Sequence, residues 1–383
     1  MLYDYSYGMY NNFLWNVNEA NTDTCHVGER SSIKDRSVLI LNDEWGISRG
    51  GISSLNRVIA LNAKAAGFRV YVTVLKATDN EIKDAKDKEI DLLIANGTDC
   101  EDNPRLDWLK CYHKAHFTDI DRRVSNLTAI IGHVDLTFEA AFSIRDQLFP
   151  GVKVVLFFHE TPDDIAEYKD DWTSITSAEW EESVLFTAKK ADALFSVGPR
   201  VYDHFQLKLK GIGNDVRHYQ YLPLPEDDFF RIRRERPKKN ELIQILTMER
   251  LADVGRFRAY DIVALAMSRV TKEYHDFKEK LPIWIIRGIA KKDHDDIRKH
   301  ILHTLPSGGK HLKLSLLPYG TKEQIITELK QSRLMLVTSR SEPFSMAGLE
   351  AIAAGIPVLI TSNSGLAEFV KNEFPVVADS VIL

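Results

Sequence analysis

Residues 339–360 read SRSEPFSMAGLEAIAAGIPVLI and contain two glutamates, Glu342 and Glu350, with seven residues between them. The apolar run LMLVTS before the first glutamate reads as a buried strand. A helix is predicted to begin at Ser345, a favoured N-cap residue, and to end at Gly355, a common helix terminator. The apolar run PVLIT after it reads as the next strand. The stretch therefore predicts a strand–helix–strand unit of an α/β fold.

The same alternation of short apolar runs and amphipathic segments continues along most of the chain. The strands predicted in the first half are SVLILN at 37–42, FRVYVTVL at 68–75, LTAIIG at 127–132, VKVVLFF at 152–158 and ALFSVG at 193–198. A segment rich in proline and charge interrupts the pattern near 223–241. Beyond it the predicted strands are LIQILTM, PIWIIRG, LKLSLLP, LMLVTS and PVLIT. Continuous apolar strands separated by helices indicate parallel sheets that are covered on both faces.

The length of 383 residues suits two domains of ordinary size. We predict two Rossmann-like, doubly wound parallel-sheet domains that face a central cleft. The predicted boundaries are an N-terminal extension at 1–36, a first domain at 37–225, a linker at 226–241 and a second domain at 242–383. Doubly wound sheets bind ligands beyond the carboxyl ends of their strands. Functional residues are therefore expected on the strand-to-helix loops of both domains.

Composition narrows the classes of partner. A formal net charge of −5 provides no basic surface for nucleic acid, so no nucleic-acid partner is expected. The sequence shows no secretory signal and no apolar run of membrane-spanning length, so a cytoplasmic protein is predicted. Three widely spaced cysteines fit no metal pattern and agree with a reducing compartment. The basic segment 231–240 leaves weak association with a membrane surface as an alternative to a solvated linker.

In the first half, two kinds of residue follow predicted strands. The loop LNDEWGISRGGISSLNR contains Gly50 and Gly51 directly before a helix, where glycine lets the backbone approach a phosphate. His133 and His159 come at the ends of two other strands and would point toward the cleft. A histidine there can donate a hydrogen bond to a substrate hydroxyl or move a proton near neutral pH. Bonding of either ring to nearby loop backbone is the alternative.

In the second half, the candidates are two arginines and the glutamate pair. Arg250 ends a predicted strand and Arg258 precedes the next helix, an arrangement that suits the oxygens of a diphosphate. Two exposed loop arginines are the alternative. Helix capping accounts for neither glutamate, since Glu342 lies outside the helix and Glu350 about one and a half turns into it. The alternative is that the helix N-terminus faces a phosphate and both carboxylates meet a sugar nucleotide.

Glu342 and Glu350, followed by AIAAGIPVLITSNSGLAEFV, resemble the donor-site signature of the family-4 retaining glycosyltransferases of the GT-B fold. That signature reads E-G-F-G-x-x-x-x-E-A-x-A-x-G-x-P-V, with a later G-x-x-E segment. The resemblance extends to the glycine loop, the two strand-end histidines and the arginine loop, and so covers most of 37–375. It implies transfer of a glycosyl group from a nucleotide-diphospho-sugar to an acceptor with retention, without a metal or another cofactor.

The resemblance also implies a role for each matching residue. The catalytic group would comprise His159 as the active-site histidine, Glu342 at the donor sugar, and Arg250 and Arg258 at the diphosphate. The implied donor-binding residues are Gly50, Gly51, Phe344, Ser345, Met346 and Glu350, of which Glu350 would hold the ribose. His133 is a further candidate for substrate binding. The chain ends at FPVVADSVIL, before the helix that in this family crosses back to the first domain, so that element is expected to be missing.

Three other classes compete with this interpretation. A metal-dependent glycosyltransferase would need a D-x-D motif, and Asp119 with Asp121 or Asp293 with Asp295 match only the spacing. The histidines near the second pair fit a solvated helix face better than a metal cluster, so no metal is predicted. An inactive sensor or binding module of a larger protein would keep the donor pocket without turnover. An epimerase of sugar nucleotides would convert the donor without an acceptor.

Overall fold

The computed structural model describes residues 36–46, 51–95, 117, 120–134, 136–162, 174–211, 217–233, 243–248, 259–273, 282–305 and 312–383. The predicted N-terminal extension thus lies outside the described residues except for Arg36. Within the described part, two separate parallel sheets are covered by helices, so the predicted α/β architecture is confirmed. The domain boundaries at 36, 225 and 241 stay predictions.

The first sheet has seven strands. They are β1 (Ser37–Ile40), β2 (Arg69–Val74), β3 (Ile90–Ile94), β4 (Leu127–His133), β5 (Lys153–Phe158), β6 (Ala193–Val197) and β7 (His218–Tyr221). Its helices are α1 (Gly51–Ala65), α2 (Asp79–Asp87), α3 (Ile120–Arg123), α4 (Phe138–Leu148), α5 (Ser174–Ala188) and α6 (Gly198–Gly211). A short helix, α7 (Asp227–Phe230), follows. It lies inside the segment predicted as a linker, because Phe229 is buried in the core and anchors one turn.

The second sheet has five strands. They are β8 (Gln244–Met248), β9 (Ile283–Arg287), β10 (Lys313–Leu317), β11 (Ser332–Val337) and β12 (Val358–Ile360). Its helices are α8 (Tyr260–Glu273), α9 (His294–His303), which a 3₁₀ turn at Lys291–Asp293 precedes, α10 (Lys322–Gln331), α11 (Met346–Ala353), α12 (Gly365–Glu373) and α13 (Pro375–Val381). All five strands correspond to apolar runs predicted from the sequence.

Strand order fixes where a ligand can bind. The sheets run β3-β2-β1-β4-β5-β6-β7 and β10-β9-β8-β11-β12, and every pairing is parallel. In each sheet the order reverses beside its first strand, between β1 and β4 and between β8 and β11. Loops diverge at such a switch point and leave a crevice at the carboxyl ends of the strands. His133 ends β4 at the first crevice, and the loop that carries Glu342 follows β11 at the second.

Two strands of the first sheet, β3 and β7, were missed by the sequence prediction. Both are edge strands, so each pairs with the sheet on one side only. β7 reads HYQY and contains no aliphatic residue, and an aspartate interrupts β3, which reads IDLLI. Edge strands need less apolar character because one side faces solvent, which removes the signal that the search for apolar runs relies on.

The two halves of the molecule share a hydrophobic core. The largest cluster of buried apolar side chains joins Phe157, Phe195 and Phe229 of the first half to Phe344 and Met346 of the second. Helix α11 of the second half contacts both α1 and α7 of the first half. Burial of apolar surface across the boundary stabilises one arrangement of the two sheets.

A network of charged side chains also joins the halves, and Glu226 is at its centre. Arg57 of α1 donates from Nε to Oε1 of Glu226 at 2.7 Å, and Lys322 of α10 donates from Nζ to Oε2 at 2.8 Å. Arg57 also bonds Asp84 of α2 at 2.6 Å, and Lys322 pairs with Asp228. All three central side chains are at most 15% exposed, so separating them would leave nearly buried charges unpaired.

In the described part of the chain, none of the helices combines the length and the apolarity that crossing a membrane requires.

Candidate functional site

The segment after β11 is held in place by its own backbone. The N–H of Glu342 donates to the carbonyl of Asn363 at 3.1 Å, and the N–H of Gly365 donates to the carbonyl of Glu342 at 2.9 Å. Glu342 and Ser364 thereby form an isolated parallel bridge. The side chain of Glu342 is half-buried. We call residues 342–346 the donor loop; the bridge positions Glu342 before any ligand arrives.

Two glycines, one from each half, lie against the donor loop. A Cβ built on Gly198, the first residue of α6, would lie 2.4 Å from Cδ2 of Phe344. Gly198 also has a φ of +80°, in the left-handed region that favours glycine. A Cβ on Gly365 would lie 2.0 Å from the carbonyl oxygen of Pro343. The donor loop therefore packs against the first half at the carboxyl end of β6.

Helix α11 begins where the sequence predicted. The Oγ of Ser345 accepts a hydrogen bond from the N–H of Gly348 at 3.1 Å, which confirms its role as N-cap. Phe344 and Met346 are buried in the shared core. Their side chains therefore serve packing, which leaves the backbone of these two residues to contact a ligand.

Glu350 lies on α11 with only 8% of its surface exposed. Burial, and after it the nearby charge of Glu226, raises the pKa of its carboxyl to about 8, while the charge of Lys322 opposes the rise. Glu350 therefore adjoins the charged network that joins the two halves. A carboxyl in that setting is mostly protonated at neutral pH, and it can both donate and accept hydrogen bonds.

The two strand-end histidines are in direct contact. Nδ1 of His133 lies 2.7 Å from Nε2 of His159, and Nε2 of His133 lies 2.8 Å from Oδ1 of Asn56 on α1. The N–H of the His133 backbone donates to Oγ1 of Thr137 at 2.8 Å. His133 and Asn56 are 0% and 1% exposed, whereas His159 is half-buried. Both nitrogens of His133 are thus occupied inside the protein, and His159 is the histidine nearer the surface of the crevice.

Burial also sets the charge of the two rings. It lowers the pKa of His133 to about 3, and burial together with the neighbouring His133 holds the pKa of His159 well below its ordinary value of 6.5. Both imidazoles are therefore neutral at physiological pH. Each ring then carries one N–H and one lone pair, which makes the direction of the hydrogen bonds between them decisive.

Four predicted site residues cannot be placed fully. Gly50, Arg250 and Arg258 lie outside the described residues, and Gly51 is described only as the first residue of α1. The structure brings the donor loop against the carboxyl end of β6 and Glu350 close to Glu226 and Lys322. The roles of all these residues stay predictions.

Sequence reasoning missed three residues that shape this region. Asn56 is one amide on an amphipathic helix, and Gly198 is one glycine after a strand; neither carries a local signal. Glu226 stands in a segment whose charge suggested a solvated linker. Only the fold brings each of them against a partner that is distant in the chain.

Metal coordination has no candidate in the described ranges: no group of three or more His, Cys, Asp and Glu side chains there is placed to hold an ion. Asp119 lies outside those ranges. Of the histidines near Asp293 and Asp295, His294 at the start of α9 donates from Nε2 to the carbonyl of Ile289 at 3.0 Å.

Comparison with known proteins identifies a family and a fold. Residues 39–383 match the family model GT4-conflict, described as Family 4 Glycosyltransferase in conflict systems. Sucrose-phosphate synthase (tll1590) from Thermosynechococcus elongatus is similar with a TM-score of 0.60 and 14% identity, covering 88% of this chain and 83% of that one. The solved structure described as trehalose-6-phosphate from E. coli bound with UDP-2-fluoro glucose is similar with a TM-score of 0.58 and 15% identity. The match covers 91% of this chain and 87% of that one.

A third solved structure, the trehalose-6-phosphate synthase OtsA, gives a TM-score of 0.58 at 13% identity and covers 91% of this chain and 88% of that one. The comparison with curated proteins gives no match. Likeness at such low identity shows the fold alone, and the predicted GT-B fold is thereby confirmed.

Proposed function

This chain belongs to the family-4 glycosyltransferases, in the group described from conflict systems, and on that premise we propose that it transfers a glycosyl group from a nucleotide-diphospho-sugar to an acceptor with retention of anomeric configuration. The observation that carries the proposal is the placement of Glu342 and Glu350. Glu342 lies in a loop fixed at the switch point of the second sheet, and Glu350 lies beside the first half. A ligand in the crevice would meet both.

The proposed reaction is a front-face displacement. The oxygen of an acceptor hydroxyl forms a bond to the anomeric carbon on the face from which the diphosphate leaves. The hydroxyl proton passes to an oxygen of the departing phosphate. The products are the glycosylated acceptor and the nucleoside diphosphate, so neither a protein nucleophile nor a redox partner takes part.

Each predicted residue has a task in this scheme. Arg250 and Arg258 stabilise the negative charge that builds up on the departing diphosphate, which supplies the main catalytic effect. Glu342 binds hydroxyls of the donor sugar, and Glu350 binds the ribose. The backbone of Gly50 and Gly51 approaches the phosphates at the N-terminus of α1.

The test is a panel of UDP-, GDP- and ADP-sugars, each titrated calorimetrically into the purified chain and then assayed for release of the nucleoside diphosphate. We expect one nucleotide class to bind. Glu350→Ala should weaken that binding by at least about tenfold, which corresponds to roughly 1.4 kcal/mol. Glu342→Ala should leave nucleoside diphosphate binding intact and abolish turnover, since Glu342 is predicted to contact the sugar. Glu373→Gln, an exposed change on α12, is the control.

Each result of the panel assigns the chain to a class. Binding with turnover that Glu342→Ala abolishes supports a transferase. Binding without turnover for any acceptor supports an inactive sensor module instead. Conversion of the donor sugar with no acceptor present supports an epimerase, and failure of every donor to bind contradicts the proposal.

Independence from metal ions is a separate prediction. With the charge of the diphosphate balanced by two arginines, excess EDTA should leave the rate of donor turnover unchanged within about twofold. The rate is measured before and after chelation and again after Mg²⁺ or Mn²⁺ is added back. Activity that is lost to the chelator and restored by a divalent ion would contradict the metal-free scheme.

A further inference from the structure

The direction of the hydrogen bonds between Asn56, His133 and His159 follows from the contacting atoms. The amide of Asn56 turns Oδ1 toward His133 and leaves Nδ2 buried without a hydrogen-bond partner among the described residues. In this orientation Oδ1 accepts, so Nε2 of His133 at 2.8 Å carries the proton of that bond. A neutral imidazole has one N–H, so Nδ1 of His133 carries a lone pair. It then accepts from Nε2–H of His159 at 2.7 Å. The remaining nitrogen of His159, Nδ1, is left with a lone pair.

The surroundings make this arrangement rigid. His133 is fixed from three directions: Asn56 at one nitrogen, His159 at the other and Thr137 at its backbone. The rings of His133 and His159 lie with centroids 4.8 Å apart and planes tilted by 42°. Because His133 has no exposed surface, water does not compete for either of its bonds. His159 therefore exchanges its tautomer only if the buried amide of Asn56 turns and His133 changes its own tautomer.

The position of His159 indicates which ligand group its remaining nitrogen can meet. His159 follows β5, the neighbour of β6, and the next residue beyond β6 is Gly198, which touches Phe344 of the donor loop. His159 is thus at the edge of the first sheet that faces the donor loop. No partner for Nδ1 of His159 is recorded among the residues that the structure describes.

We infer that His133 is a positioning residue that, with Asn56, locks His159 in its Nε2–H tautomer, so that Nδ1 of His159 accepts a hydrogen bond from a sugar hydroxyl in the crevice. This inference rests on the proposed glycosyl transfer and makes it more specific. A lone pair attracts a hydroxyl proton and repels the oxygens of a phosphate. His159 therefore recognises the sugar or the acceptor, and the diphosphate is left to other residues. His133 itself contacts no substrate.

The first experiment reads the tautomer directly. The full chain is labelled with ¹⁵N-histidine, and two-bond ¹H–¹⁵N correlation spectra are recorded at pH 7, with His159→Gln used to assign its signals among the 12 histidines. We expect Nε2 of His159 to be protonated and Nδ1 to be unprotonated. The reverse pattern, which an amide of Asn56 turned to donate would produce, overturns the inference.

Variants of His133 then separate positioning from simple packing. His133→Gln keeps a side-chain oxygen that can accept from Nε2–H of His159, whereas His133→Leu fills space and offers no acceptor. We expect the glutamine variant to retain the single tautomer and the leucine variant to show both nitrogens of His159 exchanging. Asn62→Ala, a half-buried amide on the same helix as Asn56, should leave the spectrum unchanged. An unchanged His159 spectrum in His133→Leu overturns the positioning role.

Kinetics provide the second readout. His133→Leu should lower kcat by about tenfold, the effect of one misdirected hydrogen bond, while the affinity for the nucleoside diphosphate alone stays within about twofold. His133→Gln should recover most of the rate. Equal loss in the two variants overturns the inference. The spectra need no substrate, so they test the tautomer independently of the proposed function. A chain that binds no nucleotide sugar contradicts the proposed function and does not change the result of the tautomer measurement.

Discussion

Replacing Gly365 with alanine is expected to destabilise the chain by about 1–3 kcal/mol and to weaken donor binding at least about tenfold. The added methyl would lie 2.0 Å from the carbonyl oxygen of Pro343 and 3.1 Å from its carbonyl carbon. Backbone atoms cannot rotate away as a flexible side chain can. The N–H of Gly365 also donates to Glu342 at 2.9 Å, so relief of the clash must displace the segment that carries Glu342.

Gly211→Ala is the matched control, because a Cβ at that position on α6 meets nothing within 4 Å. Its effect on stability should stay within about 0.5 kcal/mol. Urea unfolding gives the two stabilities, and calorimetric titration with the donor that the panel identifies gives the two affinities. If Gly365→Ala matches Gly211→Ala in both measurements, the close packing of Gly365 against Pro343 is wrong.

Glu350→Gln is expected to stabilise the chain at alkaline pH and to have little effect near pH 5. With its pKa raised to about 8, Glu350 keeps its proton in the folded chain while the unfolded chain releases it near 4.5. The folded state then binds more protons between these values, so stability falls as pH rises through that window. Glutamine resembles the neutral carboxyl and does not titrate, so the variant does not lose stability as the pH rises through this window.

The gain should reach at least about 1 kcal/mol at pH 8.5, or a rise in Tm of about 2–4 °C. Thermal unfolding of both proteins between pH 5 and pH 9 measures it, with Glu373→Gln as a control that changes an exposed glutamate. Parallel Tm curves for Glu350→Gln and the unmodified chain would show that Glu350 ionises normally. The expected result would mean that the predicted ribose-binding carboxyl lowers the stability of the chain at high pH.

The sequence was most informative where one local pattern determines one local structure. Apolar runs predicted all five strands of the second sheet, and Ser345 was identified as a helix cap from its type and position. The edge strands β3 and β7 were missed because a strand paired on one side needs little apolar character. The family resemblance pointed to the glutamate pair. The fold fixes the backbone of Glu342 after β11 and buries Glu350 on α11 near Glu226, and the contacts of both with a donor stay predictions.

What the sequence could not provide are contacts between residues far apart in the chain. His133 and His159 were both predicted to face substrate, yet His133 is buried and bonded to His159 and Asn56. Nothing in a single sequence indicates that two strand-end histidines will meet on neighbouring strands, or that an amide 77 residues away will bond one of them. Such contacts depend on strand order, which periodicity does not specify.

The ion pairs of Glu226 restrict how the two halves of the molecule can move relative to each other. The two carboxylate oxygens of Glu226 are taken by Arg57 and Lys322, one from each half of the molecule. When one half rotates as a rigid body relative to the other, a side chain keeps its distances to both halves only if it lies close to the rotation axis. An opening of the crevice that keeps both ion pairs therefore has its rotation axis close to Glu226. The carboxylate that joins the halves also marks the place about which they can turn.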